Sequence, residues 1–196
     1  MKLFLFIALL LFAIWDLFIT EKSVVLEPGI RAPSIPIQIK IDPSVPFQFK
    51  DYTIHPAAFF DLTAKILSKE RYTSGRDAEL SPIDFAMGWG AMSDQSIVDK
   101  IEISQSNRWY YWRVDEPPIP NREIETHSSN MHMIPANEAI KSEIVDAKVG
   151  NIVHLKGKLV RITASDGFYW NSSLTRDDTG DGACEVVFVE SFSVIE

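Results

Sequence analysis

The chain has 196 residues, 46% of them hydrophobic and 23% charged, with a net charge of −8. That length suits one ordinary domain with an appendage, and that balance belongs to a packed protein rather than a disordered one. An acidic surface without a run of Lys and Arg repels phosphate backbones, which excludes nucleic acid as a partner.

The first element is a leader. Residues 3–15 read LFLFIALLLFAIW behind Lys2, and the apolar run resumes after Asp16 with LFI. The first part has the length and flank of a signal-peptide core. Leu3 to Ile19 extended as one helix reaches ~25 Å, short but sufficient for a bilayer. Phe18, Ile19 and Thr20 are poor substitutes for a small-residue cleavage site, so residues 1–20 are expected to form an uncleaved signal-anchor. The expected location is membrane-anchored, with the body on the periplasmic or extracellular face; the alternative is a secreted protein after cleavage. The bilayer is the first expected partner.

Residues 21–50 form a Pro-rich spacer, with Pro28, Pro33, Pro36, Pro43 and Pro46. Prolines at that density stiffen the backbone and hold a domain away from a bilayer. Within it Ile35, Ile37, Ile39 and Ile41 alternate as in a strand, and Pro36 confines that strand to an edge.

Residues 51–196 read as one globular α+β domain, with a helical part at 55–100 and a β-rich part at 101–196. Pro56 suits a first helical turn, and Phe59, Leu62 and Ile66 recur at helical spacing. Ser81-Pro-Ile-Asp84 has the residue types of a second helix start. Strands are predicted at 101–104, 108–114, 152–163, 167–172 and 184–194. One helix is predicted after Asn137, lined by Ile140, Ile144 and Val145 and stopped at Gly150. Gly157, in the middle of a long strand, suggests a bulge and bend. Together these predict a partly closed OB-like β-barrel with one inserted helix, an architecture that by itself implies no activity.

Four constellations carry possible chemistry. His127, Met131 and His132 cluster in HSSNMHMIPA, where imidazole and thioether would suit copper. They converge only in an irregular loop; in a strand, Met131 and Met133 share a buried face and the segment simply leads into the helix. Asp177, Thr179 and Asp181 have the oxygen spacing that opens a calcium loop, but Phe188 stands where a bidentate glutamate is expected. Asp and Gly at those positions also make an ordinary hairpin turn. Either metal is the less favoured reading, and no cofactor is expected.

The aromatic strand Arg108-Trp-Tyr-Tyr-Trp-Arg113 is the third. Trp109, Tyr111 and Arg113 share one face, and Arg108, Tyr110 and Trp112 the other. Trp109, Tyr111, Trp112 and Arg113 are therefore the candidate ligand-binding residues, a stacking surface for a glycan or a protein partner. The fourth is Cys184, the chain's single cysteine. With His127 it is the candidate catalytic pair. An anchored β domain with a mid-chain histidine and a later strand cysteine resembles, in outline, the sortases, in which cysteine attacks, histidine assists and an arginine follows. Here Asp-Gly-Ala precedes Cys184 and no arginine follows it. Cys184 is also in step with Val186, Phe188 and Phe192, and a thiol buried among aliphatics has a raised pKa. The expected function is a non-enzymatic ligand- or partner-binding domain of the cell envelope; the alternative is a Cys/His-dependent hydrolase or transpeptidase.

Overall fold

The computed structural model describes residues 22–175 and 183–196. Its dominant feature is a twenty-residue strand, Tyr52–Arg71, where a helix was expected. Tyr52, Ile54, Ala58, Phe60, Leu62, Ala64 and Ile66 are buried at every second position, a period that only an extended backbone satisfies. Pro56 is buried in step with them and stands at a register shift between Pro56 and Ala58. A bulge is one of the few strand positions that tolerates a residue without an amide N–H.

Among the described residues there are ten strands: β1 (Ile37–Lys40), β2 (Phe47–Phe49), β3 (Tyr52–Arg71), β4 (Ile83–Gly88), β5 (Glu102–Ser106), β6 (Trp109–Arg113), β7 (Ser128–Pro135), β8 (Ile152–Thr163), β9 (Tyr169–Asn171) and β10 (Glu185–Val194). Between these strands the described residues form four short α-helices, α1 (Arg76–Leu80), α2 (Gln95–Val98), α3 (Asn121–Thr126) and α4 (Glu138–Asp146), and a 3-10 turn at Gly90–Ser93. Eight strands make one sheet in the order β1-β3-β4-β7-β10-β8-β9, with β2 also on β3 and a further ladder between β3 and β8. Strand β3 pairs with β8 from Thr53 to Lys65 and with β4 from Lys65 to Arg71, so the sheet folds back on its longest member. Strands β5 and β6 stand apart as a two-stranded sheet.

These pairings correct the expected architecture. The helical part at 55–100 is mostly strand: β3 and β4 occupy the two stretches read as helices, and Ser81 precedes a strand, not a helix. The OB-like barrel expected from the strands after residue 101 gives way to a mixed α+β sheet domain. Its large sheet recruits residues from Ile37 onward and leaves out β5 and β6. No helix among the described residues is long and apolar enough to cross a membrane. The anchored envelope protein, with its bilayer partner and its periplasmic or extracellular address, therefore has no support in the fold. The span expected within residues 1–20 lies outside the described residues.

The segment expected to stand the domain off a bilayer runs along it instead. Val24 N–H donates to Val149 O at 2.8 Å, and Gly90 N–H donates to Ala32 O at 2.8 Å. The Ser93 hydroxyl accepts from the amides of Arg31 and Ala32 at 3.1 and 3.0 Å. Beneath this strap Lys65 is buried and donates to Gln95 Oε1. Burial pushes its amine below the usual lysine range, against the pull of Asp99 and Asp94.

The main core lies between β3, β4, β7, β8 and β10, and Ile140 and Ile144 of α4 close one end of it. Asn137 caps α4, its Oδ1 accepting from Ile140 N–H at 3.0 Å. Two smaller clusters flank this core. One gathers Tyr52, Ile54, Leu80, Ile162 and Phe188; the other gathers Leu67, Met92, Ile101 and Ile124, with Tyr110 and Trp112 packed on it.

Gly157 serves a different end from the expected bulge. The register shift lies in its partner β10, between Val189 and Ser191. A Cβ at Gly157 would fall 2.1 Å from Phe188 O, so the glycine lets two backbones approach. Gly157→Ala should therefore lower stability by at least about 2 kcal/mol through overpacking against backbone. Gly167→Ala, with φ +89° and open space around it, should cost only about 1 kcal/mol of backbone strain. Urea unfolding of the two variants checks the order; equal losses would show that the close approach is unimportant.

Candidate functional site

The site starts from a two-residue turn. Ser106 pairs with Trp109, and the linking residues Asn107 and Arg108 both have positive φ, 52° and 70°. Positive φ at both central positions is the hairpin turn that matches strand twist. Asparagine tolerates it; arginine does so only when the surroundings over-determine it.

Arg108 is held at every available group. Its amide donates to the Tyr72 hydroxyl at 2.8 Å, and its carbonyl accepts from Asn130 Nδ2 at 2.9 Å. Its guanidinium donates to Ser81 O at 2.9 Å and to Asp84 Oδ1 at 2.6 Å, and lies 3.6 Å from the Tyr72 ring centroid. Asp84 is fully buried and its other oxygen meets His132 Nδ1 at 2.9 Å. The Trp170 ring covers His132 at a centroid distance of 4.8 Å. Burial pushes the Tyr72 phenol above its usual pKa, so it stays a neutral hydroxyl.

This cluster fixes the β5–β6 hairpin against β7 and opens a cleft of about 340 Å³ between them. Trp109, Tyr110, Tyr111 and Trp112 of β6 form one wall; Ser128, Ser129 and Asn130 of β7, with Ala183 and Cys184, form the other, and Glu125 of α3 borders it. The polar groups are pre-set by internal bonds. Tyr110 donates to Ser128 Oγ at 3.2 Å, which itself donates to Ile124 O at 2.7 Å. Gln105 Nε2 donates to Asn130 Oδ1 at 2.6 Å. The Ser129 hydroxyl donates to the buried carboxylate of Glu185. Burial pushes the Tyr110 phenol up to about 12, so the ring presents a neutral donor.

A small recess of about 10 Å³ adjoins the cleft, lined by Trp89, Thr175 and Glu185 together with Glu125, Ser128, Ser129 and Ala183 of the cleft itself. Trp89 is 1% exposed, and its Nε1 has no hydrogen-bond partner. A third hollow of about 480 Å³, between Phe49 and Lys141, is lined by charges of both signs and a single aromatic ring.

No protein-family profile, curated protein or solved structure matches this chain.

The cleft brings together three of the four expected ligand-binding residues, Trp109, Tyr111 and Trp112, and adds Cys184. Arg113 does not join them; its side chain is 80% exposed and pairs with Glu102 at 3.0 Å. The expected copper set does not converge. Met131 is buried in the main core, and His132, on the other face of β7, is bound to Asp84. His127 precedes the strand, with Nδ1 3.0 Å from Glu123 O and its ring against Gly90. Asp177, Thr179 and Asp181 lie outside the described residues. Among the described residues no three His, Cys, Asp or Glu side chains are grouped to hold a metal ion.

The Cys/His hydrolase is overturned by the histidines themselves. His55 meets Thr163 Oγ1, His127 the Glu123 carbonyl, His132 Asp84 and His154 Asp61. The Cys184 sulfur instead lies 3.7 Å from Asn130 Nδ2 and 3.9 Å from Arg108 O.

Arg108→Met or Asp84→Asn should each destabilise the domain by about 3 kcal/mol, because either leaves a buried partner uncompensated. Double substitution with Arg108→Met and Asp84→Leu should cost clearly less than the sum of the single losses. Denaturant midpoints of the set measure this. Additive losses below about 1 kcal/mol each would show that the ion pair does not hold the hairpin.

Proposed function

We propose that this domain is a small-molecule binding module and that its ligand lies in the cleft between β6 and β7. The observation that carries the reading is the juxtaposition of four consecutive aromatic residues with a strand of small polar ones, across a gap held open by a buried ion pair. Its volume falls within the range of about 300–1,000 Å³ usual for ligand sites. The rings supply apolar area at little conformational cost, because each has only two side-chain torsions to fix. The hydroxyls and amide opposite are already oriented by their own bonds, so few groups need ordering on binding. Tyr111, 49% exposed, is the ring with most area left to cover.

Titration with benzyl alcohol, phenol and cyclohexanol, followed by indole N–H resonances, tests the proposal. The signals of Trp109 and Trp112 should shift, and that of Trp170, outside the cleft, should stay put. Tyr111→Ala should weaken binding roughly tenfold, about 1.4 kcal/mol, with an unchanged denaturant midpoint because its ring is half exposed. If no compound moves either cleft indole, the module reading is wrong.

A further inference from the structure

The polar side chains that line the cleft have already donated their protons within the protein. The Ser128 hydroxyl donates to Ile124 O, and the Ser129 hydroxyl donates to Glu185. Asn130 Nδ2 donates to Arg108 O at 2.9 Å and reaches Cys184 Sγ at 3.7 Å. The Cys184 thiol donates in turn to Arg108 O at 3.9 Å. The orientation of the Asn130 amide follows from its partner, because the Arg108 carbonyl can only accept.

Lone pairs remain where protons do not. Ser128 Oγ accepts one bond, from Tyr110, and Asn130 Oδ1 accepts one, from Gln105. A hydroxyl oxygen and an amide oxygen each have capacity for two. A ligand atom that meets either side chain therefore finds an acceptor and must itself be a donor. A ligand acceptor in the same place faces lone pairs and loses its water without compensation.

The charges beside the cleft are matched as well. Glu125 meets Arg122 Nη1 at 3.3 Å. Buried Glu185 accepts from Ser129 and makes a further interaction. No Lys, Arg or His side chain lines the cleft among the described residues. An ion of either sign would give up hydration here with no unmatched counter-charge to replace it. The opposite wall, built from Trp and Tyr rings, suits flat apolar area.

Resting on the binding reading above, we propose that the ligand class is an uncharged aromatic ring compound with an N–H or O–H donor on its edge. The ring lies against Trp109 and Tyr111, and the donor meets Ser128 Oγ or Asn130 Oδ1.

Indole, benzofuran and 1-methylindole separate the donor from the ring, since the latter two replace the N–H by oxygen or by N–CH3. Their binding to the unmodified chain is read from the indole N–H resonances of Trp109 and Trp112. Indole should bind roughly fivefold more tightly than either, the worth of one hydrogen bond. 3-Propylindole should bind roughly tenfold more tightly than tryptamine, its cationic counterpart, and than indole-3-acetate. Of Ser128→Ala and Asn130→Leu, at least one should reduce indole to the affinity of benzofuran and leave benzofuran unchanged. A variant that only loosens the fold weakens both probes alike, and the comparison on the parent chain then decides. Equal binding of indole and benzofuran to the parent chain refutes the donor assignment. Tryptamine or indole-3-acetate binding as well as 3-propylindole refutes the uncharged class. If both variants keep the parent's preference for indole, the donor does not meet this wall and the inference fails. If indole and its analogues do not bind while phenol or the two alcohols do, only this inference falls; if neither set binds, the module reading falls with it.

Discussion

The ion pair between Arg108 and Asp84 is the constraint from which the rest of the site follows. A guanidinium taken out of water needs a carboxylate, and a fully buried carboxylate needs donors on both oxygens. Asp84 receives Arg108 on one oxygen and His132 on the other. The geometry this demands fixes a turn residue whose backbone would otherwise resist a positive φ. Once Arg108 is fixed, its carbonyl anchors Asn130, and the hairpin carrying the four rings is pinned across β7. An ion pair of this kind gains little net stability over apolar side chains of similar volume. Its effect here is on position: it sets the distance between two walls that belong to different sheets.

That separation explains why the cleft sits beside the core rather than within it. Tyr110 and Trp112 pack on the small cluster around Met92, Ile101 and Ile124, while Tyr111 and Arg113 face outward. The β6 strand therefore spends one face on attachment. The cleft is formed where Trp109, half buried, and the edges of its neighbours overhang Ser128–Asn130.

Much of this was legible in the chain, and the exceptions are informative. The strands expected at 101–104, 108–114, 152–163 and 184–194 and the helix capped by Asn137 follow from alternation and capping chemistry alone, and each has its counterpart in the fold. The long strand β3 is ambiguous in sequence although its even positions from 52 to 66 are Tyr, Ile, Pro, Ala, Phe, Leu, Ala and Ile. Phe59, Leu62 and Ile66 also fit a helix, and Pro56 suits a first helical turn as well as the register shift it occupies. The aromatic residues were identified from their run and flanking arginines. Their counterpart wall was not, since Ser128, Ser129 and Asn130 carry no signal until β7 is placed opposite β6. Asp84 and Arg108 are 24 positions apart, and Asp84 was read as a helix-start carboxylate; no local pattern links two charges that meet only through tertiary structure.

The position of Cys184 shows how the same residue changes meaning with its neighbours. In sequence it falls among aliphatics in a strand, and alternatively as a nucleophile awaiting a histidine. In the fold it stands just before β10, half buried, with its sulfur near the Asn130 amide and the Arg108 carbonyl. Those groups are set by the ion pair, not by a general base. A nucleophilic role needs a partner that draws off or holds the thiol proton, and the four histidines are committed to other partners. What the sulfur offers at this place is a polarizable, weakly hydrogen-bonding surface beside aromatic rings, compatible with a bound alkyl group.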